Sequence, residues 1–208
     1  MTPNQVYNSI LKYIRKSPNY NRKSPYFICK LHSACKNNYS RCSGQSQIQV
    51  IDFDAVKTEA DSTLGSKLRK SVDAVVNSPS DSFFCFVELK SWKMCINNNG
   101  TIQKIQNQAK KYESDLPKKL ADSIEICKQI TNDNSIFDNC NIVYILVTDI
   151  SVDSGISSID SDLTALAGTS SNLNALCNQL SRNIMNNIPK VQTRYWECRD
   201  FDTKLNNL

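Results

Sequence analysis

Residues 82–92 read SFFCFVELKSW, and residues 70–76 just ahead of them read KSVDAVV. Side chains of an extended chain alternate, so Phe84, Phe86, Glu88, Lys90 and Trp92 share one face and Phe83, Cys85, Val87 and Leu89 the other. Both faces begin apolar, which predicts a central strand and not a half-exposed one. The valine-rich 70–76 stretch predicts a neighbouring strand, and the turn-forming run NSPSDS predicts a hairpin across Asn77–Asp81. Into this apolar pair the sequence sets Asp73 in one strand and Glu88 and Lys90 in the other. Buried charges are costly unless they are paired or hold a metal, so these three need a reason. A plain one is that the strand meets solvent at Glu88. Asp202 and Lys204 repeat the spacing in the polar tail, but Glu88 follows five consecutive apolar residues and Asp202 does not.

Outward from the hairpin the chain alternates between helix and strand signals. QIQVIDFDAVKTEADSTLGSKL (47–68) predicts a short strand entering a helix, with Gly65 near its end. An extended piece around Lys93–Ile96 ends at the turn NNNG, and residues 101–130 predict a long helix bent or interrupted at Pro117. NIVYILVTDI (141–150) is a nearly continuous apolar run, as in a strand buried on both faces. A helix in roughly 160–187 and a last strand, TRYWECRDF (193–201), follow. The first 45 residues predict a helix near 4–16, a polar stretch punctuated by Pro18 and Pro25, and a cysteine cluster. The expected class is α/β, a mixed central sheet flanked by helices, with residues 47–208 as the domain and 1–46 as a basic extension.

Two carboxylates converging at the edge of a core, Asp73 and Glu88, make a hard-cation site, with the backbone carbonyl of Leu89 as a third oxygen ligand. Mg²⁺ or Mn²⁺ held there would activate water and offset charge on a phosphate. Lys90 would orient that water or stabilise the developing negative charge.

Asp73, a fourteen-residue gap, then Glu88-Leu89-Lys90 after an apolar run resembles the PD-(D/E)xK nuclease superfamily, the restriction-endonuclease-like and RecB-like nucleases. The resemblance implies an αβββαβ core across about 50–150, with Asp73 and Glu88 as metal ligands and Lys90 as the catalytic lysine. Glu59, on the preceding helix, stands where many members carry a further acid near the metals; a solvated helix carboxylate is the equal alternative. Gln108 and Tyr112, spaced i, i+4 on one helix face, are similar to the Q-x-x-x-Y element of the RecB-like branch. Lys104, Lys110 and Lys111 on that helix either contact phosphates or are simply exposed. No proline precedes Asp73, where Val72 stands instead. The implied activity is metal-dependent phosphodiester hydrolysis in nucleic acid, DNA foremost, in a chain that pairs as a homodimer if it cuts both strands. The alternative is a member that keeps the fold and binds nucleic acid or a protein without cutting.

The net charge of +5 conceals an asymmetry. Residues 1–50 carry Lys12, Arg15, Lys16, Arg22, Lys23, Lys30, Lys36 and Arg41 and no acid, leaving 17 basic against 20 acidic residues in the remainder. Such a segment suits a polyanion; a solvated basic arm without a partner is the other reading. Tyr7, Tyr13, Tyr20, Tyr26, Phe27 and Tyr39 interleave with these charges, either as base-stacking platforms or as a modest core. Nine cysteines without an export signal are expected to be reduced. Cys85, Cys127, Cys140 and Cys177 sit in apolar patterns as small buried hydrophobes. Cys29, His32, Cys35 and Cys42 form C-x2-H-x2-C-x6-C, which either holds a structural Zn²⁺ or stays unliganded.

His32 is the only histidine, which excludes schemes needing two and argues against a Ser/His/Asp triad. Five glycines supply no phosphate-cradling G-x-x-x-x-G-K or G-x-G-x-x-G run. Asp149 and Asp153, at the exit of the 141–150 strand, are explained by turn chemistry or as helpers of a metal site. No apolar run approaches the roughly 20 residues of a membrane helix, and the start, MTPNQVYNSILKYIRKS, lacks the apolar stretch of a secretory signal. The expectation is a cytoplasmic, intracellular chain.

Overall fold

In a computed structural model of the chain, the structure describes residues 1–20, 27–34, 46–65, 69–91, 102–149, 182, 188 and 190–208. Helix α1 (Pro3–Arg15) starts in a capping box: Thr2 Oγ1 accepts from the Gln5 N–H at 3.3 Å, and Gln5 Oε1 accepts from the Thr2 N–H at 2.8 Å. Strand β1 (Ile28–Lys30) leads through a 3-10 turn (Leu31–Ser33) towards β2 (Gln49–Asp52) and α2 (Phe53–Leu64). Asp52 caps α2 by accepting from the Ala55 N–H at 2.9 Å, and Gly65 ends it in the left-handed region, φ 73°. Then come β3 (Ala74–Asn77), β4 (Phe84–Lys90), α3 (Ile102–Thr131), β5 (Ile142–Thr148) and β6 (Val191–Glu197), with a 3-10 turn (Cys198–Asp200) and α4 (Phe201–Asn206) at the end.

The strands form one mixed sheet in the order β1-β2-β3-β4-β5-β6. Pairing is antiparallel from β1 to β4 and parallel from β4 to β6. The expected hairpin forms, from Ala74↔Val87 to Asn77↔Phe84. Its turn is closed by Ser78 and Phe83, whose backbone bond is 2.9 Å, and places Asp81 at φ 54°, a conformation aspartate tolerates. Helix α3 is the crossover that allows β5 to run parallel to β4.

The alternation in β4 sorts its side chains into two cores. Phe84 and Phe86 pack with Ile51, Val75, Tyr144 and Leu146 beneath α1, α2 and α3. Their rings meet edge-on at 5.1 Å, with Phe137 5.7 and 5.9 Å away. Cys85, Val87 and Leu89 pack on the other side with Val50, Val143, Ile145, Val147, Trp196, Phe201 and Leu205. β5 is buried along its whole length, as its apolar run requires.

Several features differ from the sequence expectation. Among the described residues of the first 46, charge is not the whole character: Val6, Ile10 and Ile14, one apolar stripe of α1, are fully buried in the first core, and β1 is the edge of the same sheet. Of the bend or interruption expected at Pro117, the interruption does not occur: α3 stays helical through it, with Leu116 and Leu120 buried on either side. The last strand stops at Glu197, because Phe201 and Leu205 bury themselves through a helical turn. Cys198 is disulfide-bonded, in contrast to the expected reduced thiols, while Cys85, Cys127 and Cys140 are buried thiols. Trp92, the extended piece at Lys93–Ile96 and the helix expected at 160–187, apart from Arg182, lie outside the described residues, as does Cys177. Among the described residues no helix is long and apolar enough to cross a membrane.

Candidate active site

Helix α3 fixes the segment that delivers Asp73. Ser123 Oγ accepts from the Val72 N–H at 3.0 Å, and Asp122 accepts from the Lys70 N–H at 2.9 Å. The carbonyl of Asp73 accepts from the first amide of α2, that of Phe53, at 3.0 Å. β3 begins only at Ala74, so past Val87 strand β4 has no backbone partner in β3. The Asp73 side chain substitutes for one: its Oδ2 accepts from the Leu89 N–H at 2.6 Å. Continuing the hairpin register one step sets Asp73 opposite Glu88.

Glu88 is fully buried. Its Oε1 accepts from Lys90 Nζ and, at 2.7 Å, from Lys119 Nζ of α3. Lys119 also stands 3.9 Å from Asp73 Oδ1. Lys90 Nζ donates to the Leu89 carbonyl at 3.2 Å and lies 5.4 Å from the centre of the Tyr112 ring, a cation–π distance. Two acids thus meet two lysines, which accounts for four charges near a core. One atom is left over: Glu88 Oε2 is buried and has no hydrogen-bond partner among the described residues.

Burial, and then the charge of Glu88, push the Asp73 carboxyl up to about 7 against the opposing pull of Lys90, Lys119 and the Leu89 amide. For Lys90 burial works downward, but Glu88 and Asp73 outweigh it and raise its pKa. Lys119 is also raised: burial and Lys90 oppose, and Glu88 and Asp73 win.

Asp73, Glu88, Leu89 and Lys90 are therefore brought together, and Tyr112 joins them. Gln108 lies in α3 one turn before Tyr112, with its side chain outside the described residues; the same holds for Lys104, whereas Lys110 and Lys111 are exposed. Glu59 is not at the site. Its oxygens accept from Ser17 Oγ at 2.8 Å and Asn19 Nδ2 at 3.0 Å, which ties α2 to the end of α1. The α2 acid that senses Glu88 is Asp54, five residues earlier and so about 140° round the helix. Asp54 reaches solvent, yet desolvation, with Glu88 adding, holds its pKa above the ordinary value while Ser71 and Lys119 oppose.

Lys119 is the site residue that the sequence reading missed. The available signal was its spacing, seven residues and two turns after Tyr112, hence on the same helix face. It also lines an open cleft of about 520 Å³ with Lys57, Lys70, Asp54, Asp115 and Ser71. Lys57 pairs there with Asp61 and Lys70 with Asp115, both at 2.7 Å. Asp149 accepts from Ser91 Oγ, tying the ends of β4 and β5, and Asp153 lies outside the described residues.

The donor set at Asp73 and Glu88 is all hard oxygen, two carboxylates and the Leu89 carbonyl, and the orphaned Glu88 Oε2 is an atom a hard cation would satisfy. These donors fit Mg²⁺ or Mn²⁺, which keep several waters and need few protein ligands. Among the described residues no group of three or more His, Cys, Asp or Glu stands together as a metal cage. Of the Cys/His cluster, Cys29 lies in β1 opposite Val50 and packs against the second core. His32 lies in the 3-10 turn with its side chain outside the described residues, as are Cys35 and Cys42 altogether. No protein-family model, no curated protein and no solved structure matches this chain.

Proposed function

We propose that this protein is a metal-dependent nuclease hydrolysing phosphodiester bonds in nucleic acid, DNA foremost. The observation that carries the reading is the buried pairing of Asp73, held by the Leu89 amide, with Glu88, whose neighbour Lys90 leans against it. The succession α2–β3–β4–α3–β5 supports a restriction-endonuclease-like core, with the strand expected at 93–96 lying outside the described residues.

Asp73, Glu88 and the Leu89 carbonyl would hold Mg²⁺ or Mn²⁺. Such an ion, when bound, polarises a phosphoryl oxygen and lowers the pKa of water. Lys90, kept charged by the two acids and steadied by the Tyr112 ring, supplies a fixed positive charge where negative charge develops. Lys119 sits between the acids and the lysine-bearing cleft, so on release from Glu88 it remains available to an incoming phosphate. The exposed Lys12, Arg15 and Lys16 at the end of α1 hold the backbone of the polyanion.

A second reading is a non-catalytic module that binds nucleic acid or a protein, and one observation favours it. Lys119 on Glu88 lets the two lysines balance the two acids without any cation. The deciding experiment is cleavage of single- and double-stranded DNA and of RNA, with Mg²⁺ or Mn²⁺ and with EDTA. Native protein is compared with Glu88→Ala and Lys90→Ala, each first shown to be folded. Metal-dependent cutting lost in both variants is the expected result. No cutting of any substrate and no divalent-metal binding would leave the module.

A further inference from the structure

Glu88 Oε2 is not the only buried atom at this site without a partner. Tyr144, in the middle of β5, is 1% exposed, and its hydroxyl also makes no hydrogen bond among the described residues. In the parallel β4–β5 register Tyr144 stands opposite Phe86, and Glu88 stands opposite Leu146, two residues further on. Phe86, Tyr144 and Leu146 all face the helix-covered core, and alternation puts Glu88 on that face too. Diagonal neighbours on adjacent strands are within reach of an aromatic side chain.

A buried hydroxyl or carboxylate oxygen left without a partner is costly, and native proteins avoid it. Here a phenol, which can donate, and a carboxylate oxygen, which can only accept, are orphaned together. A single water meets both needs, accepting from the phenol and donating to the carboxylate. We propose that Tyr144 is a positioning residue for Glu88, its hydroxyl holding Oε2 through one ordered water. The phenol senses that neighbourhood: burial raises its pKa, and the charges of Glu88 and Asp73 raise it further.

The consequence is a division of labour within one carboxylate. Oε1 belongs to Lys90 and Lys119, while Oε2, the oxygen free to meet a cation, is aimed by Tyr144. The inference deepens the nuclease reading and rests on it for its effect on cleavage, but the hydrogen-bonded link itself exists in the metal-free chain and is tested there.

The experiment is thermal unfolding of the full chain in EDTA for native protein, Tyr144→Phe, Glu88→Met and the double variant. Tyr144→Phe keeps the ring and removes only the hydroxyl. The expected result is a midpoint lowered by about 2–4 °C, and no lowering when Glu88 is already Met. A truly orphaned hydroxyl gives the opposite result: its removal leaves the midpoint unchanged or raises it, which overturns the proposal. An equal lowering in both backgrounds also overturns it. Infrared spectra of ¹³C-glutamate-labelled protein give a readout that does not depend on Glu88→Met folding. Tyr144→Phe is expected to displace one carboxylate stretching band, whereas a purely packing role for the ring would leave the bands in place. Absence of cleavage by native protein would count against the nuclease reading alone, since neither measurement uses metal or substrate.

Discussion

Lys119 Nζ stands 2.7 Å from Glu88 Oε1 and 3.9 Å from Asp73 Oδ1, so one lysine of α3 is set against both acids of the hairpin. It brings positive charge to the same acid pair whose charge a divalent ion would neutralise. Lys119→Met is therefore expected to act in two directions. Metal-free stability falls by roughly 1–3 kcal/mol, the cost of leaving a buried polar group short of a partner. Mn²⁺ affinity rises several-fold, because a competing ammonium is gone. Urea unfolding and calorimetric titration measure the two effects; weaker Mn²⁺ binding in the variant would show that Lys119 supports the site and does not compete for it.

The pH dependence follows from Asp73. Its folded pKa of about 7 lies above the ordinary value near 3.9, so between these values the native state holds a proton that the unfolded chain has released. The stability it contributes is complete below about pH 4 and is lost as pH rises through about 7. Asp54, also raised, adds a slope of the same sign. Asp73→Asn can still accept from the Leu89 N–H but cannot titrate. The difference in urea midpoint between native and variant should widen in favour of the variant from pH 5 to pH 8. A constant difference would mean that Asp73 is ionised throughout.

The same titration would govern metal binding at the proposed site. A carboxylate ligand must shed its proton to bind, so Mn²⁺ affinity of the native protein should climb with pH up to about 7 and level off above. Glu88→Gln should abolish binding at every pH. Affinity independent of pH from 5 to 8 would remove Asp73 from the ligand set.

Lys12, Arg15 and Lys16 lie exposed at one end of α1. Replacing all three with Gln is expected to weaken DNA binding and to flatten the dependence of log K on log salt by about 2–3, since each duplex phosphate that a cation neutralises adds about 0.9 to that slope. Fluorescence anisotropy across a salt series reads the slope. An unchanged slope would place the polyanion elsewhere on the surface.

Ile10 is fully buried between α1 and the sheet. Ile10→Ala should cost about 2–5 kcal/mol and lower the midpoint of one cooperative transition for the whole chain. Loss of a separate N-terminal transition, with the remainder unmoved, would instead mark residues 1–46 as the independent extension suggested by their charge.

The hairpin was legible because β structure has a period of two, and FFCFV fills both faces of a strand with apolar groups before any charge arrives. That pattern alone forces Glu88 to be explained, and the turn NSPSDS brings Asp73 back beside it. Lys90 follows from the same alternation. The buried β5 was equally plain from NIVYILV. Local chemistry fixed these features: side-chain alternation, turn residues, and the cost of charge beside a core.

The rest depended on which faces meet. Val56 and Ala60 are the buried stripe of α2, and that rotation presents Asp54 to the site and sends Glu59 to Ser17 and Asn19, although both are acids on one helix. Lys119 comes 31 residues after Glu88 in the chain and meets it only because α3 crosses back over the sheet to start β5. Tyr144 reads as one more apolar residue of a buried strand until the parallel register sets it diagonal to Glu88. The helix near 4–16 was legible, but the basic charge of residues 1–46 concealed that its other face, Val6, Ile10 and Ile14, belongs to the core. The sequence by itself determined the acids and their strand, since those follow from neighbours along the chain; tertiary structure decided their partners, since helix rotation and strand register are set by packing between segments far apart in it.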